Sequence, residues 1–141
     1  MATFNKFQAW TEHVTEGVHD HSADTLKVML TNTAPVATNS VKADLTEISA
    51  GNGYIAGGTQ ATVSSSAQTT GTYKLVLADV VFTASDGTIG PFRYAVLYND
   101  TPTSPADPLI GWWDYGSART LQSGESFTVD FNASTGVFTL V

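Results

Sequence analysis

Apolar and polar residues alternate with a period of two along most of this chain. Leu26, Val28 and Leu30 alternate with Lys27, Met29 and Thr31, which predicts a strand with one buried face. Asn32-Thr33-Ala34-Pro35 ends it, because proline cannot continue a ladder. The same alternation recurs at Tyr73, Leu75 and Leu77, then at Val80 and Phe82. Ile89 to Tyr98 is the most apolar run, with Phe92, Tyr94, Val96 and Tyr98 expected on one face. Leu109 to Tyr115 predicts another strand. Phe127, Val129 and Phe131, followed by the turn Ser134-Thr135-Gly136 and Val137 to Val141, predict a C-terminal hairpin. The polar stretch Thr62–Gln68 fits an edge strand or a loop. Asp86-Gly87 and Ser123-Gly124 are turns, and Asn99 to Pro108, with three prolines, is a loop.

Two segments break the alternation. Phe4, Phe7, Trp10 and Val14 are spaced by three, three and four, a helical period; an extended arm is the alternative for this Thr-rich stretch. Val41, Leu45 and Ile48 form an i, i+4, i+7 stripe behind Thr38 or Asn39 as a cap, with Gly51 beyond the end, which predicts a helix. The expected class is mainly β: a single-domain β-sandwich or barrel-like fold over residues 1–141, with one or two short helices and residues 1–22 as an N-terminal arm or helix.

Composition narrows the function. Charged residues are only 13% of 141, about half the proportion usual in soluble domains, and Thr, Ser, Ala and Gly fill the gap. Six basic residues against thirteen acidic ones leave −7. Nucleic-acid binding needs a basic stripe, and the six are scattered; an anionic membrane surface is disfavoured for the same reason. There is no cysteine, and no apolar run approaches the length of a membrane span.

Candidate chemistry is sparse. His13, His19, Asp20 and His21 lie close together, and His19 and His21 would share a face of an extended strand. Their spacing matches neither structural zinc sites nor HExxH, so a polar surface turn is expected and no metal is assigned. No Gly-x-Ser-x-Gly elbow exists. Asp100, Asp107 and Asp114 sit in loops or at a strand end, where Asx-turns are the ordinary use of Asp. Gly51-Asn52-Gly53 follows the expected helix and reads as cap and turn, not as a phosphate loop. The expectation is no enzyme, no cofactor and no catalytic residue.

The aromatic residues are the stronger signal. Trp112 and Trp113 must face opposite sides of one strand. Either one projects outward, as an interface or a sugar-stacking platform, or the sheet is covered on both faces. Phe4, Phe7 and Trp10 pose the same question of packing on their own domain or on a neighbouring subunit. The candidate interface is therefore Phe4, Phe7, Trp10, Trp112, Trp113 and Tyr115.

Several runs together resemble small virion structural proteins of tailed phages. They are Leu26 to Pro35, Leu45 to Tyr54 with Ala56-Gly57-Gly58, Pro91 to Asn99, Leu109 to Gly116, and Phe127 to Phe131. The resemblance spans nearly the whole chain but rests on turns and core strands. It implies a capsid decoration (cement) protein in the virion, assembled in the host cytoplasm, with the major capsid protein and copies of itself as partners. A tail tube, head–tail joining or fibre protein is the alternative position. A carbohydrate-binding attachment module using Trp112 or Trp113 is the alternative of another class.

Overall fold

The computed structural model describes residues 2–141. The chain is mainly β, as the alternation predicts. β1 (Asn5–Lys6) leads into α1 (Gln8–Thr15), followed by β2 (Leu26–Thr31), β3 (Thr59–Ala61), β4 (Val63–Thr69), β5 (Thr72–Leu77) and β6 (Val80–Thr83). β7 (Ile89–Asn99), β8 (Leu109–Leu121), β9 (Ser126–Val129) and β10 (Phe138–Leu140) complete it. No helix among the described residues is long and apolar enough to cross a membrane.

A five-stranded sheet in the order β1-β8-β7-β2-β3 is the backbone of the fold. A three-stranded sheet, β10-β5-β4, and a two-stranded one, β6-β9, pack against its inner face. Leu26, Val28, Leu30, Ala95 and Leu97 point inward from the large sheet, and Leu75, Leu77, Phe82, Phe127 and Val129 meet them. Each large side chain fully buried this way contributes roughly 1.5–3 kcal/mol of transfer free energy, and the interior is continuous from sheet to sheet.

The outer face of the large sheet is also covered. Met29, Val96, Tyr98 and Leu109 are buried there, with Phe7, Leu45 and Trp112 packed on them. β2 therefore has two buried faces where the alternation promised one; Met29 and Thr31 are as inaccessible as Leu30. In β7 the register shifts on both sides of Phe92. This turns Phe92 into the inner core while Val96 and Tyr98 stay on the outer face, so the expected single aromatic face is split.

Two expected elements are absent. The helix expected over 38–51 is instead a 3-10 turn, Lys42–Asp44, inside irregular chain. Its backbone bonds go elsewhere. Lys42 N–H donates to Asp107 O, Leu109 N–H to Ser40 O, and Ile48 N–H to Leu30 O. The Thr31 hydroxyl donates to Thr46 O. The Asp44 carboxylate accepts the N–H groups of Ser40 and Val41, closing the turn after one cycle. The apolar stripe is real, but Leu45 packs with the outer cluster and Ile48 with the inner one, so it serves two cores rather than one helix face. The C-terminal hairpin also fails: β9 pairs with β6 and β10 with β5, in different sheets.

Gly58 shows how tightly the irregular segment is laid down. It adopts φ +82°, and a Cβ there would overlap the Val28 carbonyl oxygen. Glu47 anchors the same stretch by accepting the Gly57 N–H with both oxygens at 2.8 Å. The Tyr98 hydroxyl donates to Gly57 O from the other side.

Candidate functional site

The N-terminal segment closes a seam of the sandwich. β8 is the last long strand on one side of the large sheet, and β10 is the open edge of the three-stranded sheet. β1 pairs with β8 through Asn5 opposite Trp112 and Lys6 opposite Gly111. Gly111 permits this approach, because a Cβ there would overlap the Phe4 ring. Phe4 then lies 5.4 Å from Trp113 and 5.9 Å from Phe138 between ring centroids, spanning both sheets. Trp10 meets Phe138 edge-on at 4.8 Å. Phe7 goes the other way, onto Trp112 at 4.6 Å on the outer face.

Phe7, Trp10 and Trp113 are buried in their own domain, and Phe4, Trp112 and Tyr115 are half-buried against it. Helix α1 forms within the expected arm, with Phe4 ahead of it and not on its face. Trp112 is half-buried and lies over the fully buried Phe7 ring. All six candidate interface residues make contacts within their own domain, and Phe4, Trp112 and Tyr115 keep part of their surface accessible.

The loop after α1 is the larger departure from expectation. His19 and His21 are each only 8% exposed, not part of a surface turn. Their rings stack at 5.1 Å with 18° between planes, and His13 on α1 lies 5.9 Å from His19. Asp24 shapes the loop by accepting the Asp20 N–H at 2.9 Å. The Trp10 indole N–H donates to His21 Nε2 at 3.2 Å. His19 Nδ1 sits 3.1 Å from the Asn99 side-chain nitrogen, which also donates to Asp24 at 2.6 Å. Asn99 is buried at the end of β7, so the histidine loop is tied to the large sheet. His13 Nδ1 and His19 Nε2 are buried without a hydrogen-bond partner.

Burial away from water disfavours the charged imidazolium. Desolvation first, then the neighbouring imidazoles of His21 and His13, pull His19 from 6.5 down to about 3. Desolvation likewise lowers His21, against the opposing pull of Asp24 and Asp20. Both rings are neutral at pH 7 and serve as acceptors, which suits a structural latch. Among the described residues no group of three or more His, Cys, Asp or Glu side chains is arranged to hold a metal ion.

Two concavities border the seam. One, of about 530 Å³, lies between α1, the histidine loop and the three-stranded sheet; Trp10, His21, Tyr73 and Phe138 line it. The Tyr73 hydroxyl is hydrogen-bonded to that of Ser66 at 2.8 Å. The other, of about 500 Å³, lies between β8 and β9 and is lined by Trp113, Asp114, Tyr115, Thr128 and Asp130. Burial pushes the Tyr115 phenol up to about 12, so it stays protonated. Arg93 grips Asp114 through two bonds of 2.8 and 3.0 Å and holds its carboxyl below the usual range.

Asn99, Asp24 and the burial of the histidines escape sequence reasoning. The one available signal is the His-x-His alternation around an exposed Asp20, which places both rings on one side. Comparison of the chain with protein-family models, with curated proteins and with solved structures gives no match.

Proposed function

We propose that the protein is a structural subunit of a tailed-phage particle, a capsid decoration protein that binds the major capsid protein and copies of itself and stabilises the shell. Its work is adhesive, not catalytic, and its place is the virion. The resemblance noted in the sequence motivates this reading. Its runs fall largely on β2, β7, β8 and β9, the frame of the sandwich.

The observation that carries the reading is the edge strand β4. It pairs with β5 alone, so its other side offers unpaired backbone groups over seven residues. Its sequence, Val63-Ser64-Ser65-Ser66-Ala67-Gln68-Thr69, has no charge and no proline. Monomeric proteins usually guard such an edge with lysine, proline or a strong bulge. Here the sole irregularity lies between Val63 and Ser65. Hydroxyl and small side chains cost far less to desolvate than charges, and copies carrying −7 each meet best through an uncharged strip. Strand addition at such an edge supplies affinity through main-chain hydrogen bonds.

The test is co-sedimentation of the purified chain with phage heads that lack it, and separately with tails. Saturable binding to expanded heads, which then withstand heat or EDTA better, is the expected result. Incorporation into tails, or closed rings formed without heads, overturns the decoration role in favour of a tail component.

A further inference from the structure

We infer that His19 and His21, with His13 beside them, form a proton-operated latch that holds the N-terminal segment (residues 2–24) in the sandwich seam and releases it on acidification. Such a latch is independent of the proposed particle role. It rests on which atoms must accept hydrogen bonds.

The Asn99 amide is oriented by its own partners. Its oxygen accepts the Thr101 N–H at 3.1 Å, so its nitrogen is the atom facing Asp24 and His19. An amide nitrogen only donates, so His19 Nδ1 must be unprotonated. The indole nitrogen of Trp10 also only donates, so His21 Nε2 must be unprotonated as well. A neutral imidazole satisfies both conditions by carrying its proton on the other nitrogen. An imidazolium satisfies neither. A second proton on His19 points at Asn99 Nδ2, and one on His21 points at the Trp10 N–H.

The surroundings set the direction. From α1, His13 faces His19 and adds like charge when protonated. From the loop, Asp24 favours a charged His19, and Asp24 and Asp20 favour a charged His21. From β5, the Tyr73 phenol lies 6.4 Å from the His21 ring and stays neutral. The two stacked rings repel each other once both are charged. Burial outweighs the carboxylates for both rings. In the released segment the imidazoles return toward 6.5, so each pH unit below that value favours release by up to about tenfold per titrating ring.

The parts that would move are joined to the rest by few bonds. β1 contributes two paired residues, and α1 is eight residues long, too short to persist alone in water. β7 and β8 are paired along nearly their full length. Release of the segment would uncover Phe138 and Trp113, because Phe4 and Trp10 pack on them.

The chain has no cysteine, so a single dye can be placed on the full-length protein through Glu16→Cys on the exposed end of α1, with Ala118→Cys on β8 as control. Anisotropy of the first is expected to fall between pH 6.5 and about 3 while the second holds. In His19→Asn and His21→Gln, which keep an acceptor and lose the titration, the fall should be absent or shifted by more than one pH unit. Should these variants not fold, the three histidine ring signals of the wild type, followed by NMR, decide between the same outcomes. His19 must stay neutral well below 6.5, His21 must titrate below 6.5, and both must titrate together with release. Ordinary titration near 6.5 without segment motion overturns the latch, and so does an acid release that both variants keep unchanged.

Discussion

The centre of the sandwich and its N-terminal seam both bury large side chains but are held by different chemistry. At the centre, Leu30, Leu75, Phe82 and Val129 meet carbon with carbon, and the one phenol beside them, Tyr54, is held protonated by burial. At the seam, Phe4 and Trp10 bring apolar surface, but the closing contacts are Trp10 to His21 and His19 to Asn99. Burial of carbon is indifferent to pH. Burial of an imidazole acceptor is conditional on its neutrality. The centre is therefore the permanent part of the fold and the seam the conditional part.

The largest effect should come from breaking the centre. Phe82→Ala is expected to cost about 3–5 kcal/mol of unfolding free energy, by lost transfer and the cavity left behind. Urea unfolding at pH 7.5 and at pH 5.5 should give the same loss, because Phe82 packs in the apolar cluster and its one aromatic contact is Tyr54, not a histidine.

Acid is the next largest perturbation, and its sign is fixed by the depressed histidines. A group whose folded value lies below its unfolded one binds more protons when unfolded. Its stabilisation is thus present above about 6.5 and lost as pH falls toward about 3. Between pH 7.5 and 5 the wild type should lose about 2 kcal/mol, discounted for the partial access of the rings to water. His19→Asn combined with His21→Gln should flatten that dependence.

Trp10→Phe probes the seam more gently. The ring volume is largely kept while the N–H donor to His21 is lost, and about 1 kcal/mol is expected. Hydrogen exchange should rise in residues 2–24 and stay unchanged in β7. A uniform rise across both regions would contradict the division into permanent and conditional parts.

Much of this division was hidden in the chain. Strands such as β2, β5 and β7 are legible because alternation reports a pleated, buried surface directly. The stripe Val41, Leu45 and Ile48 misleads because helical spacing records only that three side chains are apolar. It does not record that β2 and the 107–109 loop take the backbone hydrogen bonds a helix would need. Trp112 is ambiguous from the sequence because its partner, the buried Phe7 ring, is far away along the chain. The histidine loop reads as surface because His, Asp and Ser normally are surface. Its burial depends on Asn99 on β7, which no local pattern announces.

The smallest expected effect on stability belongs to the β4 edge, and it bears most directly on function. Ser65→Lys with Ala67→Lys changes two exposed positions and should leave unfolding free energy within about 0.5 kcal/mol. The decisive measurement is the affinity of this double variant and of the wild type for phage heads lacking the protein. Saturable wild-type binding that weakens by at least an order of magnitude in the variant is what the account predicts. Equal binding by both would remove β4 from the interface, and binding by neither would contradict the decoration role itself.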